Sequence, residues 1–222
     1  MFVTKLLLLC GVAAGAFYIG TDLAAATLLY PGYDYTAQQV SELSAIGAPS
    51  RPFWMAMGYP YTLLTLAFGA GIWRAAAGRT WLKLASVLVL LFGLNGFLWG
   101  YMAPMHMRGT EFTQTDDLHI AFAMAAVLLM IAFMSAGALA LGRGFRVFSA
   151  ATVGAMLVAG ATVSTRIADI AANRPTPWMG LVERVSVYAP MIWMAAFALL
   201  LIRQIGARPG RTEPRQSTAS AA

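Results

Sequence analysis

Long apolar runs, separated by short polar punctuation, dominate the chain. They fall at about residues 6–30, 53–73, 82–103, 117–141, 147–170 and 179–202. Each run is close to the roughly 20 residues a helix needs to cross a bilayer. None shows the residue-by-residue alternation of a barrel strand. Backbone groups in lipid must pair within their own segment, so each run predicts a helix. The expected fold is all-α, a polytopic six-transmembrane-helix bundle over residues 1–207. A tail over 208–222, rich in Pro, Gly, Ser and Arg, is expected to be a disordered cytoplasmic extension.

The punctuation adds detail. Ala75–Arg79 and Gly142–Arg146 are short basic turns, so spans two and three, and spans four and five, should pack as antiparallel neighbours. Pro31–Pro52 is the longest connection. Within it, Thr36-Ala-Gln-Gln39 resembles a capping box. Val40, Leu43 and Ile46 or Gly47 form a helical apolar stripe, and Gly47 and Pro49 end it. This reads as a short interfacial helix with Ser41 and Glu42 turned from its apolar edge. A plain loop anchored by Tyr30, Tyr33 and Tyr35 is the other reading. No internal repeat stands out, and no span shows a half-helix break.

Composition agrees with a membrane protein. Of 222 residues, 59% are hydrophobic and 11% charged. A soluble domain carries roughly 25% charged residues, so these are too few to cover a water-facing surface. The net charge of +6 raises nucleic acid as a partner. The placement of charge excludes it. With the N-terminus in the cytoplasm, ten Lys and Arg against one acid fall inside, net +9. Five basic residues against eight acids fall outside, net −3. This is a positive-inside pattern. It predicts a multi-pass protein of the cytoplasmic membrane, both termini inside, with the lipid bilayer as its partner.

Lys5, the apolar core after it and Ala24–Ala26 also fit a signal peptide. The apolar stretch resumes at Leu28-Leu29, which favours a span. The lone Cys10 has no disulfide partner in the chain, and it follows Leu9 rather than the small residue of a lipoprotein site.

Ionisable groups within spans are expensive, and here they gather at the outer ends. Asp22 lies near the end of span one and Asn95 within span three. Asp116, Asp117 and His119 open span four. Arg166 and Asp169 close span five, and Glu183 and Arg184 open span six. Glu42 can join them from the loop. Together they suggest an outward-facing polar pocket. His119 is the candidate acid/base, assisted by Asp117, Glu42 or Glu183. Arg166 and Arg184 are candidate holders of an anionic group, with Asn95 and Asp169 beside them. Each has a bland alternative. Asp116 or Asp117 can serve the helix start, and Arg166 and Asp169 can pair at i, i+3. His119 and Asn95 can be interhelical hydrogen-bonders. Diagnostic hydrolase, zinc-protease or nucleotide motifs do not occur.

The metal and cofactor remain open. His106 and His119 are the only histidines, so zinc would need carboxylates and a bis-His haem would need both on facing helices. Met102, Met105, His106 and Met107, with Met55 and Met57, offer soft ligands for Cu(I), or simply fill gaps.

Pro31-Gly32-Tyr33, followed by Ser41-Glu42-Leu43, resembles the domain-of-unknown-function 998 family of bacterial membrane proteins. So do His119 near the start of span four and Gly180-Leu181-Val182-Glu183-Arg184 at the start of span six. The resemblance covers roughly residues 5–203 and implies six spans. Members often carry a second His one turn from the first, whereas this chain has Thr115 and Ala123 there, which argues against a His-pair metal site. The resemblance implies no activity, but it strengthens Glu42, His119, Glu183 and Arg184 as a candidate set. Three functions follow. The preferred one is binding, with or without modification, of an amphipathic, lipid-like or anionic molecule. The others are a carrier, and a non-catalytic assembly or sensor subunit whose charges form an ion-pair network.

Overall fold

A computed structural model of the chain describes residues 1–207. The tail expected over 208–222 lies outside the described residues. The helices are α1 (Phe2–Leu28), α2 (Arg51–Ala76), α3 (Thr80–Met102), α4 (Gln114–Ala140), α5 (Arg143–Ser164), α6 (Ile167–Ala171) and α7 (Met179–Gly206). A short 3-10 helix, Val40–Ser44, lies between α1 and α2. Among the described residues there is no strand, only one isolated bridge between Ile46 and His106.

Six helices have 22 to 28 residues. Five of them, α1, α3, α4, α5 and α7, are long and apolar enough to cross a membrane. The sixth, α2, matches them in length, but Tyr59, Tyr61, Thr62, Thr65 and Arg74 lower its hydropathy. The apolar runs therefore give helices at the expected places, with ends moved by a few residues. Span five differs more. Its helix stops at Ser164, and α6 resumes at Ile167. Before the break, the hydroxyls of Thr162, Ser164 and Thr165 donate back to the carbonyls of Val158, Gly160 and Thr162. Hydroxyls that return to nearby carbonyls compete with the helical ladder and weaken or bend it, and here three of them cluster where the helix ends.

The long helices form a ring. α1 packs on α2 and α7, α2 on α3, α3 on α4, and α5 on α7, with a lighter contact between α4 and α5. The close approach of α1 and α2 rests on Gly71, where a Cβ would sit 2.8 Å from the backbone at Leu7 and Leu8. One end of the ring carries the tight turns. There Ala77 and Gly78 take left-handed conformations to reverse the chain between α2 and α3. Arg74 donates to Thr4 and Arg79 to Gln204 at the same end, so the start of α1 and the end of α7 meet there. We call this the hairpin end. Its core is aromatic: Phe133, Phe145, Trp193 and Phe197 touch one another, and the Trp193 indole donates to Ser149 at 2.8 Å.

The opposite, long-loop end carries the connections 29–50, 103–113 and 165–178. A second apolar cluster there joins Ala25 and Ala26 of α1 to Val40 and Leu43 of the 3-10 helix, ringed by Tyr18, Tyr30, Tyr33, Tyr35 and Trp54. The expected helix from Thr36 is replaced by a turn and the 3-10 segment. Asp34 takes the hydroxyl and N–H of Thr36 at 2.7 and 2.9 Å, so Thr36 is spent on a local turn and caps nothing. Gln39 and Glu42 form the capping box instead. Glu42 is 2% exposed, so it turns into the protein and not away from it.

Candidate functional site

The long-loop end is held by buried charge. Arg184 sits on the second turn of α7, 3% exposed, and Asp22 on α1 is fully buried. The guanidinium forks onto the carboxylate, Nε to Oδ2 at 2.8 Å and Nη2 to Oδ1 at 2.9 Å. Nη2 also donates to the Tyr33 hydroxyl at 2.9 Å. Nη1 donates to the carbonyls of Tyr35, Gly180 and Gln38 at 2.9, 3.1 and 3.3 Å. The Tyr35 ring stacks 3.5 Å from the guanidinium carbon. The Tyr188 hydroxyl donates to Asp22 and shares a 3.1 Å hydrogen bond with the Tyr35 hydroxyl. Burying two charges costs several kcal/mol each, and only full hydrogen bonding recovers that. Here every donor of the guanidinium has an acceptor. Among the described residues no buried side-chain nitrogen or oxygen lacks a partner.

Gly180 makes this approach possible. A Cβ there would lie 2.3 Å from the Gln38 carbonyl and 2.6 Å from that of Tyr35. The Leu181 N–H then donates to the Thr36 carbonyl at 3.2 Å.

Two more acids fasten the same loop. Glu42 receives Arg108 as a second fork, Nε to Oε2 at 2.8 Å and Nη2 to Oε1 at 2.6 Å. It also takes the Gln38 side-chain amide and the Gln39 N–H. Hydrogen bonding to Glu42 raises the Arg108 pKa above its ordinary value and keeps the guanidinium charged. Arg108 Nη1 reaches Thr176 at 3.2 Å, and the Thr176 hydroxyl donates to the Ala37 carbonyl at 2.8 Å. Glu183 accepts the Val40 N–H at the start of the 3-10 helix. Burial pushes the Tyr33 phenol well above its ordinary range, so it stays a neutral donor, to the Gln39 carbonyl at 2.7 Å.

The other candidate residues stand apart. Asp116 caps α4, taking the Thr113 N–H and hydroxyl and the His106 N–H, and pairs with the His106 ring at 2.9 Å. His119 Nδ1 lies 2.9 Å from the Trp99 indole nitrogen and 2.9 Å from the Ala103 carbonyl. Bare, it accepts from Trp99; protonated, it donates to Ala103. Asn95 donates to the Phe122 carbonyl at 3.3 Å, joining α3 to α4. Asp117 is exposed and has no side-chain partner among the described residues. Arg166 and Asp169 pair at 3.3 Å with Arg174 on the same carboxylate at 2.6 Å, a partly exposed surface group around α6. No hydrogen bond, ion pair or ring contact joins His119 to Asp117, Glu42, Glu183, Arg166 or Arg184 among the described residues. The structure thus brings Glu42, Glu183 and Arg184 to one loop, and leaves His119 with Asn95 at the α3–α4 contact. Among the described residues no group of three or more His, Cys, Asp or Glu side chains gathers where it could hold a metal ion.

Two openings lie near this end. One is an open depression of about 600 Å³, lined by Asp34, Thr36, Gln38, Arg108, Thr176 and Trp178 among others. The other is an apolar groove of about 480 Å³ between α5 and α7, lined by Gly154, Val158, Thr162, Val182 and Val185 among others. Trp178 is 67% exposed and precedes α7 with φ +65°, a left-handed conformation that bulky residues rarely adopt.

Sequence reasoning places Tyr35 and Arg108 on the outer side but does not assign them, or Tyr188 and Thr176, to the site. Asp22 was visible only as an unassigned buried charge. Tyr188 stands one turn after Arg184, a spacing that could have tied it to the same face. No curated protein and no solved structure is similar enough to the chain to match it. The family model described as protein of unknown function DUF998 matches residues 12–200, and the chain belongs to that family.

Proposed function

We propose that the protein is a six-span protein of the cytoplasmic membrane, with the hairpin end and both termini inside, that binds an amphipathic, lipid-like molecule at its outward-facing long-loop end. One observation carries this reading. Val182 and Val185 stand at i, i+3 on one face of α7, directly after Trp178, the residue that caps the start of the helix. Trp178 lines the polar depression, and Val182 and Val185 line the apolar groove, so the start of α7 borders both openings. A polar headgroup above and an acyl chain beside α5 fit the pair. The basic residues at the hairpin end support the orientation, and α2 supplies the sixth span.

The reading is one of binding, without a chemical step. Both oxygens of Glu42 are taken by Arg108, Arg184 is committed to Asp22, and His119 is joined to no acid of the proposed set. Gly154 provides the test, because a Cβ there meets nothing within 4 Å. Gly154→Phe therefore places a ring in the groove with no clash at its Cβ. Native mass spectrometry of the detergent-purified protein should find about one lipid-sized molecule per chain in wild type, with occupancy down at least ~10-fold in Gly154→Phe, a loss of about 1.4 kcal/mol in binding. Equal occupancy in both proteins, or none in wild type, contradicts the reading.

A further inference from the structure

The depression beside Trp178 holds unused capacity of both signs. Asp34 is exposed. One of its oxygens takes the Thr36 hydroxyl and the N–H groups of Thr36 and Ala37, and the other takes nothing among the described residues. Those bonds, led by the Thr36 hydroxyl, lower the Asp34 pKa and keep the carboxylate charged. Arg108 faces the same depression. Its Nε and Nη2 serve Glu42, Nη2 also reaches Thr176 at 3.3 Å, and Nη1 donates to Thr176 alone among the described residues, which leaves one of its two hydrogens to spare. The Trp178 indole completes the rim, with no hydrogen bond and no ring contact among the described residues.

Trp178 is also in a conformation that needs an explanation. Its neighbours are fastened: the Thr176 hydroxyl holds the Ala37 carbonyl, and the Trp178 carbonyl accepts the Val182 N–H at 3.0 Å. The turn so imposed carries φ +65°, where glycine is the low-strain choice. A tryptophan there costs backbone strain, and no core packing repays it, since the side chain stands in the open. Strain kept at an exposed aromatic points to a role in contact with a ligand. An exposed indole and a carboxylate lining the same depression suit an ammonium group. The remaining guanidinium hydrogen of Arg108 suits a phosphate oxygen.

We infer that the depression binds a zwitterionic phosphate ester–ammonium headgroup, with the ammonium between Asp34 and the Trp178 ring and the phosphate at Arg108. This rests on the amphipath-binding reading above and names its headgroup class. The same chemistry is presented by a membrane lipid of the phosphatidylethanolamine type and by a free phosphoethanolamine in solution. Apolar surface continues down α7, with Leu181 and Val185 exposed by 37% and 50%, which favours the lipid as the source.

The test is titration of the full chain, in a maltoside detergent, with dihexanoyl phosphatidylethanolamine, dihexanoyl phosphatidylglycerol and free phosphoethanolamine. Two variants accompany wild type, and neither removes a fastening contact of Arg184 or Glu42. Asp34→Asn removes charge and retains turn-forming oxygen. Trp178→Gly removes the indole and relieves the positive φ, so its thermal midpoint should equal or exceed that of wild type. Expected is saturable binding of the phosphatidylethanolamine, weakened at least tenfold in each variant, and at least tenfold weaker binding of the phosphatidylglycerol. Comparable binding of free phosphoethanolamine would uphold the headgroup chemistry and assign the ligand to solution. Equal binding of both lipids, or tighter binding of the glycerol lipid, overturns the inference and leaves the amphipath-binding reading standing. No binding of either lipid, with no lipid found by native mass spectrometry, overturns both.

Discussion

Asp22 and Arg184 show why single residues dominate the energetics of this end. Each is a charge in a largely apolar helix, and neither is tolerable alone. Arg184 meets the carboxylate as a fork, three carbonyls with Nη1, and an aromatic face at once. Lysine offers a point charge on a flexible stem and cannot reproduce that fork. Arg184→Lys should therefore destabilise the protein nearly as much as Arg184→Gln, read as the thermal midpoint of each in the same detergent. A rescue to wild-type stability by lysine would show that charge alone is what matters. Gly180→Ala should cost about 1–3 kcal/mol through forced overpacking against the Gln38 and Tyr35 carbonyls. An unchanged midpoint would mean the loop is held elsewhere. At this scale the sequence was partly legible. Arg184 and Glu42 stand out as costly charges near motifs. Their partners did not, because Asp22 and Arg184 are 162 positions apart and Arg108 looked like one more outer-loop charge. The tyrosines of the loop read as interface anchors, although Tyr33 and Tyr35 hold the guanidinium.

At the scale of elements, the loop 31–50 owes its shape to contacts rather than to propensity. Its 3-10 helix has five residues and its own capping box. Its position is fixed from three sides: Arg184 through the Tyr35 and Gln38 carbonyls, Glu183 through the Val40 N–H, and Arg108 through Glu42. Glu42→Gln leaves the Arg108 charge without its counter-ion. Hydrogen exchange of the backbone over residues 38–46 should then speed by at least ~10-fold, about 1.4 kcal/mol of local stability, with exchange in the middle of α3 unchanged. Uniform acceleration throughout the bundle, or none in the loop, would contradict this account of the fastening. The apolar runs made the long helices legible, since length and hydropathy decide them in lipid. The interruption between α5 and α6 was not legible, because Thr162, Ser164 and Thr165 carry enough apolar company to pass as span. Their hydroxyls cluster at the break and return to the carbonyls one turn before it. The capping signal was misplaced by three residues, because Asp34 captures Thr36 first.

At the scale of the molecule, the ring of helices is aromatic and closed at the hairpin end, and polar, fastened and indented at the long-loop end. The excess of Lys and Arg predicts which end faces the cytoplasm. Replacing the single native cysteine, Cys10→Ser, allows the orientation to be read directly. In that background Glu111→Cys should react with an impermeant maleimide on intact spheroplasts, and Arg143→Cys only after permeabilisation. The reverse pattern would invert the protein and move the proposed binding face to the cytoplasm.

The account turns on the claim that buried charges at the long-loop end are paired fasteners, which leaves the open depression and groove to meet a ligand. A double-mutant cycle on Asp22→Asn and Arg184→Gln tests it most directly, by unfolding wild type, both single variants and the double variant in one detergent. Each single change should cost about 3–5 kcal/mol, since it strands a buried charge. The double change should cost less than their sum by at least ~1 kcal/mol. Single changes that cost under ~0.5 kcal/mol, or that simply add, would show that Asp22 and Arg184 do not depend on each other, and the account would be wrong at its centre.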